Sequence, residues 1–355
     1  MNSKPKFLAT AIGSLPHLDP AKAVDVVLAN IPEAPIWPQI PRLGLNEQME
    51  VQYSEGMPNV VIDRAKGRMY FNTSTDYSEA FAAFYEAYMA AVDAGGGDFS
   101  SMAISPEFSK GIYALESRLK ADGKKRPFVK VQTTGPCSFA LTVTDENKRA
   151  IYYNEEFRDV IIKALAMKCR WQLQKFKPYA EQMICFIDEP ILSAFGSSTY
   201  VSVKREDVVA HLKEVIDAVH AEGGLAGIHC CGNTEWSILV DAGVDILNFD
   251  AFGFGETIAM YPQAVEALLK RGGAIAWGVV PTSAMIREQT AEKLVAHFEK
   301  IVDNLASKGI DKKLILEQAI ITPSCGTGSL EVADAERVFQ TLRSVSQSLR
   351  AKHGS

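Results

Sequence analysis

An alternation constrains this chain more than any other feature. Eight short, strand-like apolar runs recur along its 355 residues, each followed by a stretch with helical spacing. The first four runs are "FLATAIGS" (7–14), "DFSSMAIS" (98–105), "FVKVQTTG" (128–135) and "QMICFIDE" (182–189). The later four are "LAGIHCCG" (225–232), "DILNFDAF" (245–252), "AIAWGVVP" (274–281) and "QAIITPSC" (318–325). Between them, "REDVVAHLKEVIDAVHAEGG" opens on acids, spaces its apolar residues by three and four, and stops at glycine. "TAEKLVAHFEKIVDNLASKG" repeats the design, with Thr290 as N-cap and Gly309 as terminator. Strands alternating with helices, and no Pro/Gly/Ser linker, predict an α/β fold: a single (β/α)8 barrel domain over residues 1–355. An open doubly wound sheet is less well supported, because no G-x-G-x-x-G follows the first run. Residues 30–72 fit the alternation worst. This proline-rich stretch, containing "IPEAPIWPQIPRLGLNEQMEVQYSEGMPNVV", is expected to be an N-terminal excursion inserted near the barrel mouth.

Composition excludes several functions. Hydrophobic residues make up 47% of the chain and charged ones 23%, enough for a substantial core. A net charge of −6 without a basic stripe gives no reason to expect a nucleic-acid partner. No apolar run is long enough for a membrane span. Lys4 and Lys6 precede a short apolar stretch, but Gly13 and Pro16 break it, so it reads as a first strand rather than a signal peptide. A cytoplasmic location is expected, where cysteines serve as reduced thiols, ligands or nucleophiles.

In a parallel barrel, functional residues gather at the C-terminal ends of the strands. Four runs end in residues of strong chemistry: Asp188-Glu189, His229 with Cys231, Asp250, and Cys325. Alternation places His229 and Cys231 on one face of a strand and Cys230 on the other. A histidine and cysteine at this spacing are also common in cores, so the pair alone is weak. Cys325, in the glycine-flanked "SCGTG", adds a third soft ligand at the same mouth, and Asp250 an oxygen. Together they suit Zn²⁺. Cys137, Cys169 and Cys185 are isolated and read as inert buried thiols. Ser14 reads either as a binding residue or as the cap of the helix beginning near Asp19. Asp188, before Glu189 and Pro190, reads either as a functional acid or as a turn former. His17, in "SLPHLDP", reads as a solvated loop residue.

The combination of "IGSLP", "FIDEP", "IHCCGN" and a distant "SCG" resembles the cobalamin-independent methionine synthase superfamily, over nearly the whole chain. The likeness is to the C-terminal catalytic barrel of those enzymes, in a short, core form. The superfamily also holds zinc-dependent methylcobalamin:thiol methyltransferases and uroporphyrinogen decarboxylase. The resemblance implies zinc ligation by His229, Cys231 and Cys325. Where the family usually carries a glutamate ligand, this chain has Asp250, so that role falls to Asp250 or to Glu256. It further implies that Ser14 and Asp188 hold the amino-acid part of homocysteine. A second acid for the amino group comes from Glu47, Glu50 or Glu55, with Glu47 the first choice.

The implied reaction is methyl transfer to a homocysteine thiol, with zinc generating the thiolate. A second, folate-binding barrel is missing from this chain, so the resemblance points to a methylated corrinoid, or a corrinoid protein, as donor. The alternatives are the same chemistry on another small thiol such as coenzyme M, or a metal-free decarboxylase. The arginine-rich signature of the decarboxylase is not evident around Arg42. A zinc-holding or thiol-sensing module is the non-enzymatic alternative.

Overall fold

The computed structural model describes residues 4–93 and 97–354. Ten strands form among them: β1 (Leu8–Ala9), β2 (Val60–Asp63), β3 (Arg68–Phe71), β4 (Arg126–Thr134), β5 (Thr144–Asp145), β6 (Ala180–Asp188), β7 (Leu225–Cys230), β8 (Ile246–Phe249), β9 (Ala274–Val280) and β10 (Ala319–Pro323). Seven of the eight expected runs are strands, and they make one all-parallel sheet in the order β1-β10-β9-β8-β7-β6-β4. Helices follow the strands, as the alternation demands. Thr290 caps the helix Ala291–Ala306 by accepting the Lys293 N–H, and Leu294, Phe298, Ile301 and Leu305 form its buried stripe. Gly309 turns the chain afterwards with φ +95°. Among the described residues, no helix is long and apolar enough to cross a membrane.

The remaining run, second in chain order, did not become a strand. Residues 98–105 instead form a 3-10 turn at Ser100–Met102. Asp98 is the reason: its carboxylate accepts the Ser100 N–H at 2.8 Å and the Ser100 hydroxyl at 2.8 Å. Such a local side-chain turn competes with an extended ladder.

The gap between the two edge strands is spanned by residues 33–39, which the sequence placed in the inserted excursion. Isolated parallel bridges join Ile36 to Lys130 on one side and Ser14 to Gln39 on the other. The sheet therefore curls until one short segment reaches both its edges. Glu33 O and Pro35 O accept from Phe128 N and Lys130 N, while Gln39 exchanges bonds with Gly13 O and Leu15 N. Pro35 and Pro38 have no N–H, so no continuous ladder can form. Side chains fill in: Thr10 Oγ1 donates to Ala34 O, and Gln132 Nε2 donates to Trp37 O. The rest of the insert carries a short helix, Met49–Ser54, and the β2–β3 hairpin, which joins β5 in a small second sheet.

Alternation sorts the main sheet into two faces. Val129, Cys185, Ile228, Leu247, Ile275 and Ile321 pack outward among the helices. Leu8, Ala34, Phe128, Ile184, Leu225, Ile246, Ala274 and Ile320 form a separate inner cluster. Toward the C-terminal ends the inner positions turn polar yet stay buried, with Lys130, Gln132, Asp188, His229, Asn248 and Thr322. Gly227 of β7 is what lets the inner ring of Phe186 fit, since a Cβ there would lie 2.3 Å from its Cδ1. Gly227→Ala is expected to overpack this interior and destabilise the protein by about 1–3 kcal/mol, measured by urea unfolding.

Candidate metal centre and its cavity

Asp188, His229 and Asn248 are successive register partners across β6, β7 and β8, so they form one row at the top of the inner face. His229 is buried, and its Nδ1 lies 2.6 Å from Asn248 Oδ1. Asn248 Nδ2 donates to the Ala276 carbonyl at 2.8 Å and meets Thr322 Oγ1 at 2.8 Å. A backbone carbonyl only accepts, so the amide cannot be flipped, and Oδ1 must face the histidine. His229 therefore donates from Nδ1 to Asn248, and in its neutral form Nε2 is the bare nitrogen, turned the other way. That nitrogen sits 3.1 Å from Cys231 Sγ, which is 3.2 Å from Cys325 Sγ. The three candidate ligand atoms all lie within 4.8 Å of one another.

The electrostatics match a site built for a cation. Hydrogen bonding from Cys231, with further help from His229, brings the Cys325 thiol down to about 4 despite its burial. The hydrogen bond to Cys325, together with burial, drives the Cys231 thiol upward in turn. Soft donor atoms are crowded into a small space, with thiol and imidazole hydrogen-bonded to one another. A divalent ion of borderline softness would displace the protons between them, and histidine held by a second group is the usual form of such a ligand. The residues fit Zn²⁺. Cys230 points the opposite way into the helix-packed core, where burial raises its thiol to about 12.

Beside these atoms opens a cavity of ≈ 240 Å³ lined by Ile12, Ser14, Gln39, Pro41, Glu47, Gln48, Met49, Asp188, Pro190, His229, Cys231, Cys325 and Gly326. Asp188 is buried, and its Oδ1 has no hydrogen-bond partner among the described residues. Burial pushes this carboxyl up to about 6, against the pull of His229 and Lys130. Its other oxygen is not among the sealed atoms, and the side chain lines the cavity, so a donor from a ligand there can reach this carboxylate. Glu47 is also buried and has its carboxyl raised by burial; it accepts Lys110 N at 2.9 Å. Ser14 does not cap the first helix. Asp19 does, taking the Ala21 N–H at 2.9 Å. Instead the Ser14 hydroxyl oxygen accepts Gly328 N at 3.2 Å and its carbonyl accepts Thr327 N at 2.8 Å, pinning the loop after Cys325. A Cβ on Gly326 would lie 2.1 Å from Ser14 Oγ, so glycine is required for that approach.

Other expected residues are placed elsewhere. Asp250 caps its own turn by accepting Gly253 N at 2.8 Å, and its oxygens do not join the group of three ligand atoms. Glu256 is exposed and paired with Lys300. Glu55 holds Ser105 N. Glu189 anchors the helix Pro136–Thr142, accepting Cys137 N, Ser138 N and Ser138 Oγ. His17 is buried, not solvated, with Nε2 3.4 Å from Glu336. Sequence reading missed Asn248, Gln39 and Lys130. Lys130 is fully buried below the cavity, 4.5 Å above the Phe186 ring, and desolvation lowers it to about 8. A lysine inside "FVKVQTTG" was the available signal, since an unpaired cation in a buried strand is costly.

No family model matches the chain, and no curated protein matches its sequence. Among solved structures it is similar to a methyltransferase from Methanosarcina mazei, with a TM-score of 0.58, 13% identity, and coverage of 97% of this chain and 94% of that one. It also matches a B12-independent methionine synthase from Shewanella sp. W3-18-1 in complex with selenomethionine, at a TM-score of 0.46 and 13% identity, over 67% of each chain. The first likeness is one of fold.

Metal analysis is expected to find about one Zn²⁺ per chain. Cys231→Ser and Cys325→Ser should lose it, and Cys230→Ser should keep it; the opposite pattern would reverse the facing of this strand. Asn248→Leu should weaken zinc binding by ~10–100-fold, read by competition with a chromogenic chelator.

Proposed function

We propose that this protein is a zinc-dependent methyltransferase that converts homocysteine to methionine, with a methylated corrinoid as donor. The observation that carries the reading is one cavity whose wall holds two unlike sets of groups. His229, Cys231 and Cys325 converge there, and the unpartnered carboxylate of Asp188 stands in the same wall. A small thiol bearing an ammonium group fits both. A Zn²⁺ ion held by these three residues would supply Lewis acidity that favours the thiolate form of a substrate thiol at neutral pH.

The chain's own residues do the rest. His229, Cys231 and Cys325 would be the three protein ligands of such an ion. Asn248 fixes His229 so that its lone pair is always directed at the site. Asp188 and Glu47 take the substrate ammonium. Ser14 accepts Gly328 N and so keeps its own O–H free to donate to the substrate carboxylate. Held at both ends, the sulfur is aligned for attack on a methyl group entering from the mouth.

The lining favours this substrate over the alternatives. It contains two carboxylic acids and neither lysine nor arginine. A sulfonate thiol such as coenzyme M, or a polycarboxylate tetrapyrrole, would meet uncompensated negative charge. For the donor, a folate leaving group needs a proton from an acid, whereas a corrinoid leaves without one. Glu47 and Asp188 are committed to the ammonium, and His17 is bonded to Glu336. Leu18, Val201, Phe254, Met260 and Met285 stand exposed on the segments that follow β1, β6, β8 and β9, apolar side chains available to a bulky donor. The pair of reduced thiols suits the cytoplasm.

Methyl transfer to homocysteine from methylcobalamin should proceed well above that from methyltetrahydrofolate. Steady turnover with the folate and no corrinoid would sink the donor assignment. Binding should also depend on pH. With the Asp188 carboxyl raised to about 6, it is charged above that pH and neutral below. Methionine affinity, measured calorimetrically from pH ~7.5 down to ~5, should therefore fall through about pH 6, while a des-amino analogue changes less.

A further inference from the structure

An ammonium group has three N–H donors, and Asp188 and Glu47 account for two acceptors. The third is traceable through a relay of buried amides. Gln52 is fully buried, and its Nε2 donates to the Phe108 carbonyl at 2.8 Å and to Glu47 Oε2 at 3.3 Å. Because a carbonyl only accepts, Gln52 cannot be flipped, and its Oε1 must face Gln39. Gln39 Nε2 donates to that oxygen at 3.0 Å. The Gln39 amide is thus fixed as well, with its own Oε1 turned away from Gln52.

Gln39 Oε1 takes no hydrogen bond among the described residues, yet it is not among the polar atoms sealed from solvent without a partner. Gln39 is only 6% exposed and lines the cavity, so this oxygen opens onto it. Gly13 makes room for the arrangement: a Cβ there would lie 2.4 Å from Gln39 Oε1. We propose that Gln39 Oε1 is a substrate-binding acceptor, the neutral third partner of the substrate's primary ammonium beside Asp188 and Glu47. A neutral group is what the third position requires. Two carboxylates already exceed the single charge of an ammonium, and a third would repel them both.

The inference rests on the reading of the substrate as an amino acid, and one experiment separates the two. Affinities of the zinc-loaded full chain for methionine and for its des-amino analogue are measured by calorimetry, in the wild type, Gln39→Met and Gln39→Asn. The wild type should prefer methionine. Gln39→Met should weaken methionine by ~10-fold or more, as expected for a lost hydrogen bond to a charged group, and leave the analogue within ~2-fold. Gln39→Asn, one methylene short of reach, should change the ratio in the same direction, and it carries the test if Gln39→Met does not fold. Variants that keep the wild-type ratio, or that weaken both ligands together, would overturn the role of Gln39 while leaving the amino-acid reading intact. A wild type that binds both ligands equally overturns both.

Discussion

The hydrogen bond between His229 and Asn248 is the constraint on which the site depends. Its direction is set outside the site, by the Ala276 carbonyl on β9 and Thr322 on β10. The sheet backbone thereby decides which imidazole nitrogen is bare, and the bare nitrogen decides where a metal can sit. Cys231 reaches that point because it lies two residues beyond His229, just past the end of β7. Cys325 reaches it because β10 ends beside Ser14, whose bonds to Thr327 and Gly328 hold the following loop. A tautomer, a strand face and a pinned loop are enough to gather three soft donors.

The same logic operates twice. Asn248 orients a ligand, and Gln52 orients Gln39; in both cases a backbone carbonyl fixes the nitrogen of a buried amide. Such networks are stabilising only when every member is satisfied, because an orphaned polar group in a low-dielectric interior is costly. The wall around β4 carries this cost, with Gln132, Gln172, Trp37 and Tyr53 bonded to one another or to Gln132 O. The lower half of the sheet interior is apolar and tightly packed, and it supplies the rigidity that the polar wall consumes. Asp188 Oδ1 and Thr134 Oγ1 are exceptions, buried without a hydrogen-bond partner among the described residues.

Residues 33–39 link fold to site. Prolines bar them from a regular ladder, yet they sit between β1 and β4 and bring Gln39 to the cavity wall. The excursion that follows then delivers Glu47. Its function is therefore not separable from closure of the sheet gap. Prolines read as loop punctuation in sequence, and here they mark backbone whose missing donors are replaced by side-chain bonds from Thr10 and Gln132.

Strand alternation is a local property, so the facing of His229 and Cys231 against Cys230 was legible from three adjacent residues. Helix limits at Thr290 and Gly309 were legible for the same reason, since caps act within one turn. By itself the sequence determined seven strands of the parallel sheet and the sidedness of the histidine–cysteine pair. Tertiary structure alone decided that Cys325 meets Cys231, that Asn248 orients His229, that Asp250 turns to its own helix, and that residues 33–39 rather than 98–105 bridge the gap. Those outcomes depend on contacts between distant segments, on main-chain carbonyls that carry no residue-specific signal, and on competition between a local Asx turn and a ladder whose partner strand lies elsewhere in the chain.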